Sequence, residues 1–232
     1  MPFKHACFIS YSHGKGDLIK RFVSELKSAL TDYLDTYLDV DIYTDDRLVP
    51  GYHYNEALAQ EICGSLCMIV VYIPKYERHE YCRREFAGME RLQETRFQLL
   101  GSGRDPKYGL IIPVILEGIE SLPPQIKAGR HYGDFSAFSP TKPELKRIPE
   151  FEPALRKIAR YINALYTEFE RFGDQVCDGC DRFQLPNPAP PWRELTASLP
   201  TELPLRSPED ALAILPVTDT IGSPFPWTVE AV

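Results

Sequence analysis

The chain has 232 residues, a formal net charge of −7 and an isoelectric point near 5.3. This length allows one medium-sized α/β domain with an appendage, and it is sufficient for a sizeable core. The acidic balance argues against broad binding to a phosphate backbone, because nucleic-acid-binding domains normally cluster Lys and Arg on a basic surface. We therefore expect neither DNA nor RNA as a partner.

The sequence lacks a run of about 20 apolar residues, the length needed to cross a bilayer, and its first residues do not resemble a signal peptide. We expect no membrane association and a cytoplasmic location. Cys7, Cys63, Cys67 and Cys82 stand within or beside apolar segments, where a free thiol behaves as a small hydrophobic group. We predict that these cysteines are reduced core residues.

Strand and helix patterns alternate through the first 170 residues, which is typical of a parallel sheet with helices on both faces. The predicted elements are strands at about 6–12, 40–45, 66–73, 110–116 and 131–135, and helices at about 17–35, 55–63, 80–97 and 153–172. Asn55 is the expected cap of the second helix, and Pro153 is expected in the first turn of the last one.

After Gly173 the composition changes, and ten prolines follow in about 60 residues with little helical periodicity. Such a segment favours extended conformations and forms little regular core alone. We therefore divide the chain into a domain at 1–172 and a proline-rich tail at 173–232, which either packs on the domain or contacts a protein partner. Ser207 to Leu215 is the one short helix that we expect in the tail.

Three segments place polar residues next to predicted strands. The first is Phe8-Ile9-Ser10-Tyr11-Ser12, the second is Asp45-Asp46-Arg47-Leu48-Val49-Pro50-Gly51, and the third is Tyr81-Cys82-Arg83-Arg84-Glu85. In this order and spacing they resemble the sequence boxes of the TIR (Toll/interleukin-1 receptor) domain, over residues 5 to about 170. The resemblance implies a flavodoxin-like α/β fold, in which helices flank a five-stranded parallel sheet, here with a proline-rich C-terminal extension.

The resemblance also implies a catalytic residue. In the NAD+-consuming branch of the TIR family, which includes prokaryotic proteins, catalysis depends on a glutamate on the helix after the third strand. The family motif Trp-Cys-x-x-Glu matches Tyr81, Cys82 and Glu85, which assigns that role to Glu85. If the segment is helical from about His79, Tyr81 and Glu85 share one face. From the local residues alone, a solvated helix glutamate is the alternative interpretation of Glu85.

Two residues depart from the family pattern. Tyr81 replaces the usual Trp, which is a mild change because either ring can stack on a flat ligand or face a cation. His79 stands where a serine is common, and the sequence offers no interpretation of that change.

A single carboxylate suits this chemistry, although ordinary glycosidases need two. The nicotinamide of NAD+ is a cationic leaving group that departs as a neutral molecule, so no general acid has to protonate it. The positive charge that grows on the ribose remains, and one carboxylate in a site shielded from water can stabilise it.

Five further residues are candidates for substrate binding. By resemblance, Phe8 would stack on the nucleotide, Ser10 would donate a hydroxyl, and Tyr11 belongs to the same box. Asp45 and Arg47 begin the loop after the second strand, where an arginine can pair with a pyrophosphate. The alternatives are a core role for Phe8 and a solvated charge cluster at the turn.

Pro50 and Gly51 match the Pro-Gly pair of the family's BB loop, which makes head-to-tail contacts between subunits. Contacts of that kind generate rings or open filaments, so the resemblance implies a homo-oligomer.

We predict an enzyme that cleaves the nicotinamide–ribose bond of NAD+ and releases ADP-ribose or a cyclised form, in bacterial antiphage immunity and activated by assembly. A non-catalytic TIR adaptor and a nucleoside N-glycoside hydrolase or transferase remain alternatives. NAD+ would be a substrate, and no cofactor is expected, because neither a G-x-G-x-x-G turn nor a P-loop is present. Cys177 and Cys180 have the spacing of half a zinc site, but too few ligands follow them, and we expect no metal.

Overall fold

The computed structural model describes residues 2–14, 16–45, 54–101, 109–127, 130–138, 144–186 and 192. Within these ranges the elements are β1 (His5–Tyr11), α1 (Asp17–Leu34), β2 (Asp41–Tyr43), α2 (Tyr54–Cys63), β3 (Ser65–Tyr72), α3 (Glu80–Leu100), β4 (Ile111–Ile115), α4 (Pro124–Lys127), β5 (Gly133–Asp134) and α5 (Glu152–Glu170). Short 3₁₀ turns lie at Tyr76–Arg78, Ile119–Ser121, Leu145–Arg147, Pro149–Phe151 and Gly173–Cys177. None of the helices in these ranges is long and apolar enough to cross a membrane.

The five strands form one sheet in the order β2-β1-β3-β4-β5, and every neighbouring pair is parallel. This arrangement confirms the predicted fold class. The strands β1 and β3 are buried at every position, as their uninterrupted apolar sequences require. A central parallel strand has this pattern because helices cover both faces of the sheet.

The helices pack in pairs, α1 against α5 and α2 against α3. The chain moves outward from β1 to β2 in one direction and from β3 to β5 in the other. Because crossover connections are right-handed, this reversal places the helices that follow β1 and β3 on opposite faces of the sheet. The helix α1 shows the expected apolar stripe: its buried residues are Phe22, Val23, Leu26, Ala29, Leu30 and Leu34.

Two local predictions were wrong, and a third concerns residues outside the described ranges. The helix α2 begins at Tyr54, so Asn55 lies inside it and is not its cap. The Asn55 carboxamide oxygen instead accepts a 3.5 Å hydrogen bond from Arg84. The strand β5 has two residues rather than five, because it pairs only with the end of β4. The short helix predicted at 207–215 falls outside the described residues.

The prediction of reduced cysteines was wrong at one position. Cys63, at the end of α2, forms a disulfide with Cys180, which lies 117 residues further along the chain. Cys7, Cys67 and Cys82 are free and buried, as expected. The disulfide forms because the chain returns after α5 and passes the end of α2, a long-range approach that leaves no local trace in the sequence.

Arg96 on α3 connects the segments next to this disulfide by hydrogen bonds. Its side chain is 1% exposed and donates to four main-chain carbonyls, those of Cys63 (2.5 Å), Ser65 (2.8 Å), Leu66 (3.2 Å) and Val176 (3.3 Å). Burial lowers the pKa of the guanidinium to about 10, which still leaves it charged at neutral pH. A buried cation of this kind is tolerated only when hydrogen bonds replace its hydration.

The segment after α5 packs on α3, and we call residues 173–186 together with Trp192 the C-terminal strap. The main-chain carbonyl of Pro186 accepts a 3.1 Å hydrogen bond from the Arg84 side chain. Gly88 lies directly under Leu185, since a Cβ on Gly88 would come within 3.0 Å of that side chain. Trp192 is 4% exposed. The strap therefore covers a face of the helix that also contains Glu85.

Candidate functional site

The candidate residues converge where the parallel strands end. Ser10 is near the carboxyl end of β1, Asp45 lies two residues beyond the end of β2, and Glu85 lies in the second turn of α3, which follows β3. The sheet order reverses between β1 and β3, and ligands of open α/β sheets bind at the carboxyl edge beside such a reversal. The fold alone thus places Ser10 and Glu85 at the position where a ligand is expected.

Glu85 is held by a chain of buried hydroxyl groups. Ser10 Oγ lies 2.5 Å from Glu85 Oε2 and 2.7 Å from the hydroxyl of Tyr76, which in turn donates to the carbonyl of Cys82 at 3.2 Å. Glu85 is 4% exposed, so it is not the solvated helix glutamate of the alternative interpretation. When Glu85 is ionised, it accepts a hydrogen bond from Ser10. When Glu85 is protonated, it can donate to Ser10, Ser10 can donate to Tyr76, and Tyr76 donates to the carbonyl of Cys82.

This environment raises the pKa of Glu85 to about 8. Burial is the main cause, because water no longer solvates the carboxylate, and the charge of Asp45 adds to the effect. The hydrogen bond from Ser10 and the charge of His13 act in the opposite direction. A carboxyl group near its midpoint at neutral pH gives up its proton readily when a cation binds next to it.

His13 and Asp45 form a second polar unit at the same edge. His13 Nε2 lies 2.6 Å from Asp45 Oδ2, and this hydrogen bond raises the pKa of His13. Lys75 donates to the main-chain carbonyl of His13 at 2.7 Å, and the ring of Tyr11 lies 4.5 Å from the imidazole ring. The Tyr54 hydroxyl approaches the same Asp45 oxygen at 3.5 Å. The loop between β1 and α1 is thereby fixed to the end of β2.

Three buried polar atoms at this edge have no hydrogen-bond partner among the residues that the structure describes. They are Ser12 Oγ after β1, Asp45 Oδ1 after β2 and His79 Nδ1 at the start of α3. Buried polar groups in folded proteins are nearly always satisfied, by protein, water or ligand. Their positions after β1, after β2 and before the first turn of α3 fit a polar ligand that would bridge them.

The structure places Tyr81 beside Tyr54 and Arg84. The two tyrosine rings meet edge to face at 5.2 Å, and the Arg84 guanidinium lies 5.5 Å from the Tyr81 ring. Tyr81 is half-buried at the start of α3 and already faces a cation in the structure. Its predicted contact with substrate stays a prediction.

The other predicted residues are distributed differently. Phe8 is 1% exposed and stacks on Tyr43 at 5.6 Å within the core, so the structure does not bring its ring to the polar cluster. Tyr11 is at the edge, against His13. Arg47, Pro50 and Gly51 lie outside the described residues.

Sequence reasoning missed three participants: His13, Tyr54 and Tyr76. His13 directly follows the first motif, so its place in a turn at the carboxyl end of β1 was available as a signal. The hydroxyl of Tyr76 contacts Ser10 across 66 residues of sequence, and no pattern in the sequence indicates that contact.

A model of the TIR domain family matches residues 7–148, which is more than half of the chain. No curated protein matches the sequence. Within the residues that the structure describes, no group of three or more His, Cys, Asp or Glu side chains could hold a metal ion.

Proposed function

This chain belongs to the TIR domain family, and on that premise we propose that it cleaves the nicotinamide–ribose bond of NAD+. The observation that supports the proposal most strongly is the burial of Glu85 against Ser10 at the reversal of the sheet order. The family includes catalytic and adaptor members, and an adaptor has no evident need for a carboxyl group buried at this edge of the sheet.

The reaction needs little from the protein beyond this carboxylate. The C1′–nitrogen bond breaks, and its electron pair leaves with nicotinamide, which becomes neutral. Glu85, as the carboxylate, stabilises the cationic ribosyl group from within a site of low dielectric constant, where a charge acts most strongly. Water then adds at C1′ and loses a proton to give ADP-ribose, or a nucleophile of the same molecule adds to give the cyclic product.

The unpaired polar atoms give the substrate its proposed contacts. Asp45 Oδ1 can accept from a ribose hydroxyl, and Ser12 Oγ and His79 Nδ1 can each accept or donate. The pKa of His79 is lowered, mainly by burial, so its imidazole is neutral at physiological pH. NAD+ is consumed as a substrate in this scheme, and no cofactor takes part.

The rate of NAD+ cleavage should rise with pH. Only ionised Glu85 is competent, so kcat/KM should increase through a midpoint near pH 8, the pKa of the free enzyme's carboxyl group. The Ser10→Ala variant loses the hydrogen bond that lowers this pKa, and its midpoint should lie higher. Nicotinamide release between pH 5.5 and 9.5 measures both profiles.

The pKa of His13 is raised by its hydrogen bond to Asp45, so a His13→Gln variant is the control, and its cleavage rate should still rise with pH. A wild-type profile that is flat between pH 6 and 9 would contradict the role of Glu85.

The wider setting is part of the same proposal. We propose that the protein is a cytoplasmic component of bacterial antiphage immunity, and that head-to-tail contacts through the loop with Pro50 and Gly51 assemble it into an active oligomer. Purified protein incubated with NAD+ and with several nucleosides tests the proposal. Cleavage of NAD+ alone supports it, cleavage of nucleosides indicates a broader N-glycoside hydrolase, and no cleavage by the assembled protein indicates an adaptor.

A further inference from the structure

The Cys63–Cys180 disulfide lies where α2, the C-terminal strap and α3 meet, and α3 contains Glu85. Cys63 ends α2, Cys180 belongs to the C-terminal strap, and Arg96 of α3 donates to the carbonyls of both Cys63 and Val176. The disulfide therefore fastens the strap to the body of the domain at the point where α3 is also bound.

The strap then contacts α3 on both sides of Glu85. Arg84 donates to Pro186, and Trp192 packs against Phe86 with ring centres 4.8 Å apart. Arg84 and Phe86 are the immediate neighbours of Glu85 in the sequence. Any displacement of the strap would thus change the packing of the helical turn that contains this carboxyl group.

Trp192 also reaches the hydroxyl chain that holds Glu85. Its ring lies 5.9 Å from that of Tyr76, whose hydroxyl binds Ser10, and Ser10 binds Glu85. Tyr76 is completely buried, so the packing around it fixes its hydroxyl group. Trp192 acts on Glu85 through its packing against Tyr76 and Phe86, which makes it a positioning residue.

The disulfide is accessible from the surface. Cys180 and Cys177 line a pocket of about 510 Å³ together with Lys4, Glu61 and Asp181, whereas Cys63 is 3% exposed. A thiol reductant can therefore reach Cys180 from this pocket. Cys177 is a free thiol whose pKa is raised, mainly by burial, so it stays protonated and does not compete as an attacking thiolate at neutral pH.

We propose that the Cys63–Cys180 disulfide is a redox-controlled fastener of the C-terminal strap, and that its reduction lowers NAD+ cleavage by releasing Trp192 from Tyr76. A dithiol reductant attacks Cys180 and breaks the sulfur–sulfur bond. Two electrons and two protons pass to the protein, which gains two thiols, and the reductant becomes a cyclic disulfide. Disulfides of cytosolic proteins are usually transient and serve catalysis or redox sensing, so the proposed cytoplasmic location agrees with a switch that oxidation turns on. The effect on cleavage rests on the proposed function, whereas the fastening does not.

Two readouts on the full chain test the two parts separately. In a Trp227→Phe background Trp192 is the only tryptophan, so its acrylamide quenching reports the position of the strap. Dithiothreitol should raise the quenching constant at least twofold and lower nicotinamide release at least threefold, and both changes should reverse on reoxidation. The Cys180→Ser variant should behave like the reduced protein without reductant, and the Cys177→Ser variant should respond like the parent.

Unchanged quenching on reduction would overturn the fastening. Increased quenching with an unchanged cleavage rate would overturn the control of activity. If no form of the protein cleaves NAD+, the proposed function fails together with the control of activity, and the quenching result alone decides the fastening.

Discussion

Replacement of Glu85 by glutamine should reduce NAD+ cleavage by at least about 100-fold in kcat, the loss typical of removing one electrostatic group from a transition state. The carboxamide keeps the size of the side chain and can still accept from Ser10, which lies 2.5 Å from Oε2. What it lacks is the negative charge that stabilises the ribosyl cation in the proposed mechanism. Nicotinamide release at pH 8.5, with saturating NAD+, measures the effect.

The same variant should be more stable than the parent at high pH. The pKa of Glu85 is about 8 in the fold and near 4.5 in the unfolded chain, so the folded state binds the proton more tightly. The stability that this provides is complete below pH 4.5 and disappears as the pH rises through 8. Glutamine is always neutral, so the variant does not lose this stabilisation. At pH 9 its free energy of unfolding should exceed that of the parent by on the order of a few kcal/mol.

Glu90→Gln is the matched control for both measurements. Glu90 lies on the same helix, is 42% exposed at its side chain and pairs with Arg130 at 2.8 Å. Its replacement should change neither the cleavage rate nor the melting temperature by a measurable amount. Equal losses in the two variants would show that the helix, and not the buried carboxylate, determines activity.

The largest expected effect on stability follows from Arg96→Met. The variant keeps the apolar stem and volume but leaves four main-chain carbonyls without the guanidinium that binds them. Losing charged hydrogen bonds in a buried position should cost about 3 kcal/mol of unfolding free energy, after allowance for the desolvation that methionine avoids. Urea unfolding at pH 7 with the disulfide intact measures this change.

Arg91→Met provides the control, because Arg91 is exposed on the same helix. The free energy of unfolding of this variant should stay within about 0.5 kcal/mol of that of the parent. A similarly small change for Arg96→Met would mean that the carbonyls find other partners, and that the guanidinium does not fix the junction of α2, β3 and the C-terminal strap.

The sequence predicts those parts of the fold that depend on local patterns. The uninterrupted apolar runs of β1 and β3 identify buried parallel strands, and the apolar stripe of α1 identifies its inner face. Glu85 is proposed as catalytic because Tyr81, Cys82 and Glu85 together resemble the family motif. These signals come from residues close together in the chain.

The remainder depends on contacts between distant segments. Cys63 meets Cys180 across 117 residues, and Ser10 meets Tyr76 across 66. In neither pair does the sequence around one residue have a periodic or compositional feature that indicates the other residue. The raised pKa of Glu85 is equally hidden in the sequence, because burial is its main cause and appears only when the sheet and α3 are assembled.

A comparison of NAD+ with NADH tests the central claim most directly. The two molecules differ only in the nicotinamide ring, which is cationic in NAD+ and neutral in NADH. Because the site offers a carboxylate for the ribosyl cation and relies on a leaving group that needs no proton, the assembled protein at pH 8.5 should release nicotinamide from NAD+ and leave NADH intact. Cleavage of both at similar rates, or of neither, would contradict this account.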